Sequence, residues 1–395
     1  MEPLRGVRIL DLTKVLAGPF ATQLLGDFGA DVIKVERPGE GDDTRAFGPP
    51  FVEGESTYFL SINRSKRSIA LNLKSSAAVE VVKKIASSSD VLIENFRPGS
   101  LKKMGLDYAS LHGQFSRLIY VSISGFGATG PDAPRPGYDL AVQGLSGIMS
   151  ITGDPAGPPT KVGTSIADLV AGLYAVQGTL LALYAREKTG RGQFVDVSML
   201  DGQISLLTFQ GQKYLSTGAV PGRLGNQHPS ICPYETFAAK DGYFNLAVGN
   251  DRLWAHFCEA VGRADLVSDV RFKTNPDRVR NHDALYGILS RVFKDRSAAE
   301  WIEKLEKAGV PAAPILPVDQ VFSQPQVRAR TMRVAVPHAK IANLEMAGVP
   351  VQLSDTPSHI RRGPPLLGEH TDEILAEAGL GPEDIACLRK DGAFD

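Results

Sequence analysis

Cysteine is nearly absent from this chain. Cys232, Cys258 and Cys387 are the three among 395 residues, odd in number and far apart. That argues against a disulfide framework and a CxxC-type zinc site, and it suits a reducing compartment. Net charge is also lacking: 43 Lys and Arg stand against 44 Asp and Glu, a formal balance of -1. No global basic field draws the protein to nucleic acid or to an anionic membrane surface. The seven histidines form no i,i+4 pair, so no metal ligand set is predicted. His228 and His370 lie in loops, which makes them candidates to border a site by position alone, and neither has a nucleophile partner in sequence. GxSxG, P-loop and HExxH patterns are missing, as are internal repeats. The N-terminal MEPLRGVRILDLT runs straight into a strand pattern, and the expectation is a cytoplasmic protein without a leader.

What is present is alternation. Val7–Leu12, Asp31–Val35, Ser68–Leu73, Asp90–Glu94, Arg117–Ser124 and Phe194–Ser198 read as buried strands. Helical patterns at Phe20–Phe28 and Ser76–Ser87 lie between them. This predicts an α/β fold with a doubly wound parallel sheet, and ligands beyond the carboxyl ends of its strands. The dinucleotide fingerprint GxGxxG is absent after the first strand, where LAGPF stands instead, so an NAD-dependent oxidoreductase loses its best warrant. Leu200–Leu215 reads as one helix. A Gly- and Pro-rich stretch from Ser216 marks a boundary. Beyond it, Tyr234–Val248 reads as a hairpin, and helices follow near 251–262, 282–293 and 297–308.

One segment imitates a membrane span, Ile166–Ala185. It carries Asp168 and Gln177 and falls short of the roughly 20 clean apolar residues a span needs. The expectation is a buried core helix. Asp168 stands at its start. Ser165-Ile166-Ala167-Asp168 matches the S-x-x-D capping box, in which the carboxylate accepts from the helix's own first backbone amides. The other reading is chemical: a carboxylate held ionised by a helix N-terminus is a nucleophile towards an activated acyl group. The two readings are compatible. Cations also cluster at expected turns: Arg37, Lys66, Arg67, Lys74, Arg97, Lys102 and Lys103. Their placement suits a phosphate-bearing ligand, although solvated surface charge is the ordinary alternative.

The motifs DLTKVLAGPFATQLLGDFGADVIKVERPGEGDDTR, NRSKRSIALNLK, DVLIENFRPGSLKKMGL, SISGFGATGP, IADLVAGLYAVQGTLLAL, KTGRGQFVDVSMLDG and PPLLGEHTDEIL, in this order, resemble the family III CoA-transferases over nearly the whole chain. The resemblance implies a large Rossmann-like domain from both chain ends, residues 1–215 and 330–395. It also implies a small α+β domain at 225–329, linkers near 216–224 and 310–330, and an interlocked homodimer. Coenzyme A would be a substrate rather than a bound cofactor, and acyl-CoA and a free carboxylic acid the partners.

The resemblance further implies that Asp168 is the nucleophile, forming an aspartyl anhydride and then an aspartyl-CoA thioester. Val15, Leu16, Ala17, Arg37, Lys74, Asn95, Phe96, Arg97, Lys103 and Met104 match CoA-binding positions. Formyl-CoA transferase has a glutamine where this chain has Leu16, which implies a lost or replaced acceptor contact. Its glycine-rich shielding loop has no clear counterpart; the nearest is Val248-Gly249-Asn250, which would border the acyl site with Tyr138. The racemases of the superfamily carry a histidine before the aspartate of an AGHD stretch. This chain has Tyr138 before Asp139, so the racemase or epimerase alternative lacks its base. A non-catalytic CoA-binding protein is the third reading. The run GDDTRAFGPPFVEGESTYFLSINR looks most like the succinate–hydroxymethylglutarate CoA-transferase group, which points to succinyl-CoA and dicarboxylic acids. Arg45 or another arginine would pair with a distal carboxylate.

Overall fold

The computed structural model describes residues 2–394. Six strands form one sheet: β1 (Arg8–Asp11), β2 (Asp31–Glu36), β3 (Lys66–Ala70), β4 (Val91–Glu94), β5 (Ile119–Ser124) and β6 (Phe194–Ser198). Their order is β3-β2-β1-β4-β5-β6, and every neighbouring pair is parallel. This is the classic doubly wound order, in which the direction of winding reverses between β1 and β4. The strands are rich in buried Val, Ile and Leu because both faces are covered.

Two layers supply the cover. Helix α1 (Ala17–Asp27) and the long helix here called α4 (Ile166–Thr189) lie on one face, where Ala21, Leu25, Ala171 and Ala175 pack with Ile9, Val32 and Ile93. On the other face α2 (Ser76–Ser87) packs Val82 and Ile85 with Leu10, Ile33 and Leu92. Ile374 and Leu375, from near the C-terminus, join that second cluster. Between α2 and α4 a short α3 (Asp139–Leu145) leads towards the site.

The third strand starts earlier than expected, because Lys66 and Arg67 lie inside it. Both are buried and spent on carboxylates: Lys66 on Asp11 at 3.3 Å, Arg67 on Asp31, Glu373 and Glu377 at 2.7–2.8 Å. Arg67 ties the C-terminal segment to the sheet edge, Lys66 is spent inside the sheet, and neither offers charge to a phosphate. The expected helix Leu200–Leu215 is two, α5 (Met199–Ser205) and α6 (Thr208–Thr217), broken where Thr208 takes a φ of 39°.

Helix α4 is a core helix on one side alone. Ala167, Ala171, Ala175, Thr179 and Ala182 are buried at helical spacing, small enough to let α1 and the sheet approach. Leu173, Leu180, Leu181 and Tyr184, on other faces, are exposed. The expectation of full burial is therefore corrected. Among the described residues this is the one helix long and apolar enough to cross a membrane by length and composition. Of its most apolar window 39% is buried, on the small-residue face.

By contact the chain divides into Met1–Ile148, Val162–Ser216 and Pro325–Asp395 as one unit, and Met149–Lys161 with Thr217–Gln324 as a second. Residues 149–161 thus belong with the smaller unit, not with the large domain as expected. Within the smaller unit β7 (Tyr234–Ala238) and β8 (Tyr243–Ala247) form the hairpin, and β9 (Ala312–Pro314) adds to its edge. Phe237, Phe244, Trp254, Phe257, Phe293 and Trp301 make its core. Cys232 and Cys258 are buried there as free thiols, and Cys387 is free as well.

Candidate active site

Asp168 lies in the first turn of α4 and does not cap it. No side chain of Ser165 caps the helix either. Ser165 instead hydrogen-bonds the Tyr58 phenol. The helix end is satisfied from outside: the Ala167 N–H donates to Asp139 Oδ1 at 2.9 Å, and Gln143 Nε2 donates to Asp139 Oδ2 at 2.8 Å. Asp139 starts α3, directly after Tyr138. The capping box that local sequence suggests is therefore unmade, and the carboxylate of Asp168 is released for another partner.

That partner is the start of α1. The Ala17 N–H, which has no acceptor within its own helix end, faces the Asp168 carboxylate and favours its charged form. The crossing of α1 and α4 makes this possible. A Cβ on Gly172 would stand 2.7 Å from the Ala17 carbonyl oxygen, so the two helix backbones pass too closely there for any side chain. Asp168 is one helical turn before Gly172, on the same face. Burial pushes its pKa up to about 7, and the nearby Asp139 charge adds to the rise; the Ala17 N–H pulls the other way. The expectation that a helix end keeps this group fully ionised is corrected: desolvation outweighs it.

The turn between β1 and α1 is shaped by the winding reversal beside it. Lys14 N–H donates to Asn95 Oδ1 at 2.9 Å, and Asn95 Nδ2 donates to the Lys14 carbonyl at 2.7 Å. Lys14 follows β1 and Asn95 follows β4, so this pair bridges the switch point where an open α/β sheet binds ligands. Val15 takes a φ of 68°, the left-handed region that a β-branched side chain enters at a cost on the order of 1–3 kcal/mol.

Two open clefts flank this turn. The first is lined by Val15, Ala17, Asn95, Phe96, Arg97, Tyr138 and Asp168, among others. The second is lined by Thr13, Arg37, Lys74, Phe96, Met104 and neighbours. Phe96 and Lys14 line both. Most residues singled out in sequence are thus brought to one place. Leu16 is buried and lines neither cleft. Lys103 is exposed and also lines neither. Gly249 and Asn250 belong to the smaller unit, where Asn250 accepts from Leu253 N–H and so caps the helix that follows.

Arg45 does not face either cleft. It holds Glu36 through two bonds of 2.7 Å, donates to the Pro365 carbonyl and stacks 3.6 Å above the Phe59 ring. A distal carboxylate must find another cation; Arg97 and Arg135 are the arginines lining the Asp168 cleft. His370 is structural, its Nδ1 accepting from Ser68 N–H. Sequence reading missed Asp139, for which PGYD at a helix start was the available signal. It also missed Tyr58, whose phenol is pushed up in pKa by burial and by Asp168, Asp139 and Asp42.

Comparison with known proteins shows the family. The model of CoA-transferase family III matches residues 4–371. The chain is 44% identical to succinyl-CoA:glutarate CoA-transferase of Mus musculus, over 95% of this chain and 86% of that protein. It is 45% identical to acetyl-CoA:oxalate CoA-transferase of Acetobacter aceti, over 95% of each. Among solved structures, a CAIB/BAIF family protein from Brucella suis superposes with a TM-score of 0.86 at 42% identity, covering 95% of this chain and 99% of that one. The chain belongs to CoA-transferase family III and is a CoA-transferase.

Proposed function

We propose that the enzyme moves CoA from succinyl-CoA or a similar donor to a dicarboxylic acid, with Asp168 as nucleophile. The observation that carries this is the release of Asp168 from helix capping into a cleft at the switch point, with the Ala17 N–H on its carboxylate. An Asp168 oxygen attacks the thioester carbonyl; the C–S bond breaks and CoA leaves as thiolate. The thiolate then attacks the Asp168 acyl carbon of the mixed anhydride, releasing the donor acid and leaving an aspartyl-CoA thioester. The acceptor carboxylate displaces CoA again to form a second anhydride. Thiolate attack on the acceptor's acyl carbon yields the new acyl-CoA and restores Asp168. Holding CoA beside the site keeps the thiolate at high effective concentration.

Arg37, Lys74, Phe96 and Met104, gathered in the second cleft, suit the nucleotide end of CoA. Val15, Ala17, Asn95 and Arg97 suit the thiol arm, and Tyr138 the acyl group. Relatives named for CoA transfer involving glutarate, oxalate and mesaconate support a dicarboxylic acceptor. Exposed Leu140, Leu145, Leu181, Tyr184, Phe209 and Leu215 support the homodimer, because a monomer leaves this apolar surface in water.

The test is to incubate the enzyme with succinyl-CoA, trap with hydroxylamine and locate the adduct by mass spectrometry. Modification at Asp168, together with transfer to glutarate or another dicarboxylate, is expected. No adduct, and no transfer to a dicarboxylate panel, overturns the reading. Exchange of the α-proton without acceptor would favour the racemase. Light scattering during gel filtration checks the dimer.

A further inference from the structure

Behind the Lys14–Ala17 turn lies a buried ion pair that the acyl chemistry does not itself use. Lys34, on β2, is 0% exposed, and its Nζ is 2.8 Å from Asp42 Oδ2. The same Nζ donates to the Thr13 carbonyl at 2.8 Å. The other carboxylate oxygen, Asp42 Oδ1, accepts from Val15 N–H at 3.2 Å and from Thr44 N–H at 2.9 Å. One ion pair therefore grips the backbone on both sides of Lys14. The pair is itself anchored. Asp42 N–H donates to Glu36 Oε2 at 3.0 Å. Thr13 is held from below by Asp11 Oδ1, which accepts its N–H at 2.9 Å.

What this grip holds is an unfavourable conformation. Val15, at a φ of 68°, does not stay left-handed unless its surroundings over-determine it. The Ala17 N–H that meets Asp168 comes immediately after that bend. If Val15 relaxed to a right-handed or extended state, the start of α1 would re-aim. A buried ion pair is also a poor choice for stability alone, since well-packed apolar residues do as well or better.

We propose that Lys34 and Asp42 are positioning residues for the nucleophile: by clamping Thr13 and Val15 they hold the left-handed bend and aim the Ala17 N–H at the Asp168 carboxylate. This rests on the reading of Asp168 as nucleophile. The groups facing Asp168 are Asp139 from α3 and Tyr58 from the helix Thr57–Ile62. Those facing the clamp are Asp11 from β1, Glu36 from β2, Lys66 from β3 and Tyr58. All stay in place in the variants below.

The test replaces the pair by apolar residues, Lys34→Met with Asp42→Leu, in the full-length enzyme. Melting is measured first, then the single-turnover rate of Asp168 acylation by succinyl-CoA as a function of pH. The double variant is expected to melt as cooperatively as the parent. Its acylation is expected to fall by about 100-fold, the cost of a small misplacement in a preorganised site. The acidic limb of its pH profile is expected to move to higher pH, because the carboxylate has lost a donor that favours its charged form. Adding Val15→Gly, for which the left-handed bend is free of strain, is expected to recover part of the rate. A folded double variant with the parent's rate and limb overturns the proposal. If the double variant does not fold, Asp42→Asn decides, since it keeps an acceptor for Val15 but loses the charge that holds Lys34. A slower rate with a shifted limb supports the clamp, and parental behaviour overturns it. A parent enzyme that forms no Asp168 adduct overturns the nucleophile reading and this proposal with it, whereas a parental adduct beside an unchanged variant overturns the clamp alone.

Discussion

Asp139 Oδ1 accepts the Ala167 N–H at 2.9 Å, and by doing so it takes the place at the start of α4 that Asp168 would otherwise fill. The two carboxylates divide the labour. One caps, at the cost of a nearby negative charge. The other is left protonatable and aimed into the cleft. The same Asp139 charge helps to raise the pKa of Asp168, so the cap and the nucleophile are coupled electrostatically as well as sterically.

Asp168→Asn separates chemistry from stability. The aspartate ionises at 3.8 when unperturbed and at about 7 in the fold. Between those values the folded state binds more proton than the unfolded state, so stability falls as pH rises through that window and stays lower above it. The neutral amide escapes this cost. The variant is expected to melt higher than the parent at pH 8 and near the parent at pH 4, while acyl transfer falls by about 10³-fold or more. Melting curves at both pH values, beside a transfer assay, check it. A variant less stable than the parent at pH 8 contradicts the raised pKa.

Asp139→Asn keeps an acceptor for the Ala167 N–H and removes a charge. Melting should fall modestly, because the amide nitrogen would face Gln143 Nε2, which donates to Asp139 Oδ2 in the parent. Asp168 should ionise more readily, so the acidic limb of acylation moves to lower pH. Asp139→Ala loses the acceptor too and is expected to cost about 1–2 kcal/mol of stability. Denaturant titration of both variants, with pH–rate profiles, distinguishes cap from charge.

Gly172→Ala probes the crossing that brings Asp168 to α1. Its added Cβ would stand 2.7 Å from the Ala17 carbonyl oxygen and 3.0 Å from the Phe20 ring. Neither helix can yield without moving. A loss of about 1–3 kcal/mol is expected, with a fall in kcat larger than any change in KM. Unchanged kcat in a folded variant would mean that the crossing does not set the site.

Arg37→Ala probes the second cleft. The Arg37 side chain is 57% exposed and pairs with Glu40 and Asp43 on the surface. Such pairs contribute little to stability. Melting is expected to stay within a degree or so of the parent. KM for acyl-CoA is expected to rise about 10-fold, with kcat less affected. Steady-state kinetics at low and moderate salt measure both.

Much of this architecture was legible in order. The apolar residues Val32, Ile33 and Val35 and the pair Leu92–Ile93 announce strands covered on both faces, and the segments joining them set parallel winding. The residues of the β1 and β4 turns were legible as ligand-side positions because the winding order itself places them. Lys66 and Arg67 were not. Their charges read as candidates for a phosphate or as solvated surface, and only the carboxylates of Asp11, Asp31, Glu373 and Glu377, distant in sequence, let them lie in a strand. Arg45 was misplaced for the same reason, since its partner Glu36 and its aromatic neighbour Phe59 are set by folding.

The sequence by itself determined that one carboxylate, Asp168, begins a long apolar helix among the motifs of a CoA-transferase. It also determined, through the small residues at Ala167, Ala171 and Ala175, which face of that helix could be packed closely. Whether Asp168 caps that helix was decided by the tertiary structure alone. A cap needs only local backbone, and local sequence offered one. The competition was settled by an oxygen of Asp139, which accepts the Ala167 N–H, and by an amide of Ala17 that faces Asp168; the packing of separate helices brings both there. Burial then set the charge state, because desolvation depends on everything that surrounds a group and on nothing in its immediate sequence.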